Sequence, residues 1–201
     1  WAGENILKMT SIHNQLLLMS DAWTLYKIDI PTSLGSPTIT TVDVDILWDK
    51  KVTNIVWGSW SNNYILLTDD YVPYKMNSFG TITTVDNTAW WDKKIKNVAM
   101  WYQAEIYVDE DDVVYWNWSN YHSWIWISWA SSTAPVEAIN INALWLIDII
   151  DVVMWDYRTH ILTKDWKVYS IWNNTQWQAW VWSSSTIIST LTEVDSTLWK
   201  G

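Results

Sequence analysis

Asp109, Glu110, Asp111 and Asp112 stand in a row, the densest set of potential metal ligands in the chain. A calcium loop of the helix–loop–helix kind places oxygen ligands at alternate positions, glycine at the sixth and glutamate at the twelfth. This run lacks that spacing. "DVDILWD", Asp43–Asp49, fails likewise, with Leu47 at the fifth position. Both read as solvated turns. His13, His122 and His160 are widely separated and form no H-x-x-x-H or H-x-x-E pattern, which argues against zinc. Strand alternation lets His160 flank a core. Ser131–Ser132 and Ser183–Ser185 have no nucleophile elbow around them, and the absence of cysteine removes thiolate chemistry and disulfides. The residues therefore point to no catalytic group, no cofactor and no metal, and the chain reads as a non-enzyme.

The charge narrows the partners. With 22 acidic and 12 basic residues the formal net charge is −10, which repels phosphate backbones and argues against nucleic acid. No apolar run approaches the ~18 residues of a membrane helix, because Asp148 and Asp151 break the most apolar segment, "ALWLIDIIDVVMW". Membrane insertion is not expected. Abundant Ser, Thr and Asn with modest Lys point to an extracellular or bacterial cell-surface setting rather than the cytoplasm. The sequence opens on Trp1 and closes on "WKG", which reads as a fragment.

The elements that would hold any site repeat. "WDKKVTNI" (Trp48–Ile55) returns 43 residues later as "WDKKIKNV" (Trp91–Val98), with a looser copy, "LIDIIDVV", at Leu146–Val153. A second apolar run follows each: "NYILLTDD", "AEIYVDEDD" and "THILTKD". A third carries Tyr74, Tyr115 or Tyr169, and an earlier copy ends at Tyr26. These runs are short, alternating and rich in Val, Ile, Thr and Tyr, which favours strands. Each unit reads as strand, tight turn, strand, hairpin, strand and longer loop. An all-strand repeat of roughly 40–50 residues indicates a β-propeller blade. The repeats run roughly 1–47, 48–90, 91–144 and 145–201 within a single partial propeller domain, 1–201. The tyrosines read as packing between blades.

Tryptophan is the anomaly, at 21 residues against 5 glycines. Asp165-Trp166 stands where a two-residue type I′ hairpin wants Asp-Gly. Eleven residues separate Trp155 from Trp166; the same step leads from Trp101 to Asp112 and from Trp60 to Tyr71, and Trp23 holds the hairpin position of the first copy. Gly58 stands about where Trp101 and Trp155 stand in other copies. Asp tolerates positive φ and Trp does not. The tryptophans thus occupy glycine positions, the pattern produced when UGA codons read as glycine in some bacteria are translated as Trp. Restored in that way, "WIWISW" (Trp124–Trp129) becomes a formal G-x-G-x-x-G, but Pro135 follows soon after and no helix starts on cue, so it reads as a connecting loop.

With glycine at those positions, "VVMWDYRTHILTKDWKVYSIWNNTQWQAWVW" (Val152–Trp182) resembles the regulator-of-chromosome-condensation repeat family. Trp155, Trp166, Trp172, Trp177, Trp180 and Trp182 fall on its glycines, with Trp101 at the equivalent turn of the third copy, and Gln178 on its Gln. Arg158, Asn63 and Ala104 replace a His common in its second strand. The likeness is strong in the last repeat and loose in the first. It implies an all-β propeller of four-stranded antiparallel blades, about four being present as part of a seven-bladed ring. The family's nucleotide-exchange activity carries no residue over. The expected function is a non-enzymatic scaffold binding a protein partner through its face loops, with Asn117, Asn120, Tyr121, His122, Asn173, Asn174 and Gln176 as candidate contacts. The alternatives are a glycan-binding or adhesive bacterial surface module and, behind that, a propeller enzyme such as a lyase or hydrolase, or a nucleotide exchange factor.

Overall fold

The computed structural model describes residues 3–12, 14–58, 63–101, 104–118, 132–137, 148–155, 158–173 and 187–194. Among these residues sixteen strands form four antiparallel sheets, each a meander of four consecutive strands. The first holds β1 (Ile6–Ile12), β2 (Gln15–Ser20), β3 (Leu25–Asp29) and β4 (Thr38–Thr41). The second holds β5 (Val52–Trp57), β6 (Asn63–Thr68), β7 (Pro73–Asn77) and β8 (Ile82–Thr84). In the third are β9 (Ile95–Trp101), β10 (Ala104–Asp109), β11 (Val114–Trp118) and β12 (Ser132–Glu137). The fourth comprises β13 (Ile149–Trp155), β14 (Arg158–Thr163), β15 (Val168–Asn173) and β16 (Ile187–Glu193). A three-residue 3-10 turn, Asp45–Leu47, is the helical element among the described residues, and no described helix is long and apolar enough to cross a membrane.

The fourth strand of every sheet lies in what the sequence presents as a longer loop. β4 is "TITT", exposed at all four positions, and β8 is "ITT" with only Ile82 buried. An edge strand with water on most of its surface has no apolar alternation to display.

Register repeats as well. Tyr26, Tyr74, Tyr115 and Tyr169 pair across their hairpins with Leu18, Leu66, Tyr107 and Ile161. Near the start of each first strand the pairing shifts by one residue, between Ile6 and Lys8, Val52 and Asn54, Ile95 and Asn97, and Ile149 and Asp151. Each shift is a β-bulge, which bends the strand and increases its twist. These pairs correct the alignment of the last repeat by one residue: Ile149, not Ile150, matches Val52, each facing the Thr that opens the hairpin, Thr163 and Thr68. Burial agrees, since Val52 and Ile55 are buried and so are Ile149 and Val152. A one-residue slip would turn that pair outward.

The chain divides into two compact units, Trp1–Val85 and Asp86–Gly201, each holding two sheets. In the first, Leu17, Met19 and Leu25 pack with Val52, Ile55, Leu66, Tyr74 and Met76 in one core. In the second, Ala104, Ile106, Val108 and Val114 pack with Ile149, Val152 and Ile161, and Tyr169 lies against them. The packing role read for Tyr74 and Tyr169 is thus a role between two sheets of one unit.

Candidate binding surfaces

Each sheet turns from its second to its third strand through the same hairpin. The N–H of Thr163 donates to the carbonyl of Lys167 at 3.0 Å, and the N–H of Trp166 to the carbonyl of Thr163 at 3.0 Å. Ser20, Thr68 and Asp109 open equivalent hairpins closed at Thr24, Val72 and Val113. The third loop residue is left-handed in all four: Trp23 at φ +62°, Tyr71 at +66°, Asp112 at +68° and Trp166 at +63°. Asp165 does not share that conformation, so the turn is a three-residue type I loop with a bulge, not the two-residue type I′ turn expected from Asp165-Trp166. The position identified at Trp166 is the strained one, and its indole is 80% exposed. Exposure leaves no packing to offset the clash of a β-carbon there.

A second set of such positions escaped the sequence reading. Trp48 lies at φ +59°, ψ −114°, the first central position of a type II′ turn, where glycine dominates. Trp91 has φ +33° and Asp148 +56°. Trp48 and Trp91 are the first residues of the two "WDKK" segments, so the repeat was the available signal. Two other assignments need correction. Trp101 and Trp155 are not left-handed; they end β9 and β13, and their rings meet tilted at 31° with centroids 5.2 Å apart. Trp172 is a strand residue within β15. Trp177, Trp180 and Trp182 lie outside the described residues.

The acidic run forms a hairpin, and it is not uniformly solvated. Asp109 is fully buried. Its Oδ1 accepts the N–H groups of Asp111 and Val113 at 2.9 Å each, and its Oδ2 accepts the Tyr115 hydroxyl at 3.1 Å. Burial, first, and the Asp109 charge, second, push the Tyr115 phenol well above its usual range. Asp112 reaches the next sheet of its unit: it pairs with Lys96 at 2.6 Å and accepts the N–H groups of Asp148 and Ile149 at 2.8 Å each. Among the described residues no three potential metal ligands are grouped.

Glu105, also buried, accepts the Tyr107 hydroxyl at 2.8 Å and the Asn117 amide at 3.0 Å. Asn117 is therefore a buried residue of β11, which moves the start of the expected contact loop past the strand. Asn173 ends β15. Asn120, Tyr121, His122, Asn174 and Gln176 lie outside the described residues, as does His13. His160 is half-buried in β14, and burial together with the Arg158 charge holds its imidazole below the usual histidine value.

No family model matches the sequence, and no curated protein matches it. Solved structures do. Human WBSCR16 superposes with a TM-score of 0.77 at 9% identity, over 98% of this chain and 54% of that one. Yeast RCC1 (Prp20), solved bound to Kap60, gives 0.71 at 13% identity, over 94% of this chain and 48% of that one. The fold is an RCC1-like β-propeller. A second structure of Prp20p, from Saccharomyces cerevisiae, also gives 0.71 at 13% identity, over 94% of this chain and 50% of that one, in work that describes its binding to Gsp1p and histones. The chain spans about half the length of the solved propellers it matches. The four sheets are four-stranded antiparallel blades of this propeller fold.

Proposed function

We propose that the chain is a non-enzymatic propeller scaffold that binds a protein partner through the loops after the third strands of its last two blades. The contacts assigned are Asn120, Tyr121 and His122 in one loop and Asn174 and Gln176 in the other, with Asn173 at the mouth of the second. The observation that carries this reading is how the buried carboxylates are used. Asp109 holds a hairpin and Glu105 holds Tyr107 and Asn117, so each is engaged in structure. What such a frame offers is loops on a rigid support, where recognition residues collect. The solved propeller Prp20, bound to Kap60, supports a protein as the kind of partner. We infer also that Trp23 and Trp166 are glycines in the cell, their codons being UGA read as glycine, because both stand at positive φ.

Crosslinking the protein in its native cells, followed by peptide mass spectrometry, tests both statements. The expected result is crosslinks from the segments 119–128 and 174–185 to a protein, with a glycine mass at position 166. Crosslinks confined to other segments, or binding on a glycan array with no protein captured, would remove the scaffold reading. A tryptophan mass at 166 would remove the codon reading alone.

A further inference from the structure

The first unit carries a groove of about 550 Å³, within the ~300–1,000 Å³ range of ligand sites. One wall is β4, which among the described residues pairs with β3 alone, leaving its other edge unpaired. The opposite wall is the turn between β7 and β8, where Phe79 is 86% exposed although it lines the groove. Two carboxylates, Asp43 and Asp45, stand at the groove, and that of Asp43 is held by its own loop, its Oδ1 accepting the N–H of Asp45 at 2.9 Å. Lys27 also lines it, but its ammonium is engaged by Asp29 at 3.2 Å and by the Ser78 carbonyl at 3.1 Å. The uncompensated charge at the groove is therefore negative, on a chain already at −10.

We propose that this groove binds an extended basic segment of a protein partner, its backbone along the open edge of β4, one cation over the Phe79 ring and another between Asp43 and Asp45. Strand addition to an open sheet edge supplies main-chain hydrogen bonds, and alternate side chains supply specificity. An exposed aromatic face attracts an ammonium or guanidinium. Paired carboxylates select its sign and speed the encounter. None of the groove-lining residues is a tryptophan, so the site is the same whichever residue the turns carry. The proposal rests on the scaffold reading for the class of partner, but it places contacts away from the loops assigned above.

The test uses the purified chain titrated with two fluorescent peptides of equal length. One alternates lysine or arginine with threonine and valine, and in the other glutamate replaces every cation. The basic peptide should bind and its acidic counterpart should not. Asp43→Asn with Asp45→Asn should weaken binding on the order of tenfold or more. Phe79→Ala should weaken it about threefold. The first change keeps the acceptor for the Asp45 N–H and the second trims an exposed ring, so the fold persists. N-methylation of alternate peptide bonds should abolish binding in one of the two phases. Equal binding of both peptides, or affinity unchanged in the variants, would overturn the groove. A native partner crosslinked at the loops and indifferent to these substitutions would overturn the groove and leave the scaffold reading standing.

Discussion

Trp23, Tyr71, Asp112 and Trp166 share one backbone conformation and little else. Aspartate is the one of these types that tolerates it, and in Asp112 the carboxylate is also put to use. The conformation belongs to the hairpin and the side chain is incidental to it. His160 is the opposite case, a side chain whose chemistry is set by what surrounds it. Burial, then Arg158, depress its pKa below the ordinary value of 6.5. As pH falls the unfolded chain therefore takes the proton first. The stability owed to neutral His160 is complete above pH ~6.5 and is lost as pH falls toward and through the lower folded value. The thermal midpoint should drop as pH falls below about 6.5, and His160→Gln should flatten that drop. Parallel profiles for the two proteins would show that His160 is not the group responsible.

Within the third blade, Asp112 does two things: it sits in the bulged turn and it ties that turn to β13 through the N–H groups of Asp148 and Ile149. Asp112→Ala should cost about 2 kcal/mol in urea denaturation, because two backbone donors lose their acceptor and alanine tolerates the left-handed turn less well than aspartate. Lys96→Ala, which leaves those bonds intact, should cost less than about 1 kcal/mol, as a partly exposed pair does. Equal losses would mean that the ion pair, rather than the backbone contact, joins the elements. The second and third strands were legible because apolar alternation and a recurring tyrosine mark them. The fourth strands were not, because "TITT" and "ITT" bury little or nothing. The bulge near the start of each first strand hid the register of Ile149, since a one-residue irregularity looks like a misaligned repeat. The left-handed hairpin positions were legible through spacing, whereas Trp101 and Trp155, alike in spacing, proved to be strand ends whose rings meet at a tilt. Of the candidate contacts, Asn117 was misplaced because an Asn after "VVY" looks like a loop residue until Glu105 is seen opposite it.

Across the whole molecule, the chain matches propellers of about twice its length while sharing 9% of residues with WBSCR16 and 13% with Prp20. Likeness in shape at so low an identity implies that the fold rests on repeated geometry: a bulge, a pair of short strands, a turn with one left-handed residue, an edge strand. The tryptophans at those turns stand on glycine backbone, and the rest depends on that. Comparing the thermal unfolding of Trp166→Gly and Trp90→Gly tests it within one protein. Trp90 is buried, at ordinary φ, with its ring 4.9 Å from Tyr107 and 5.5 Å from Tyr115. Removing it should cost ~3 kcal/mol or more. Trp166→Gly should instead add about 1 kcal/mol, raising the midpoint by ~2–4 °C. A midpoint that falls in both variants would contradict the claim.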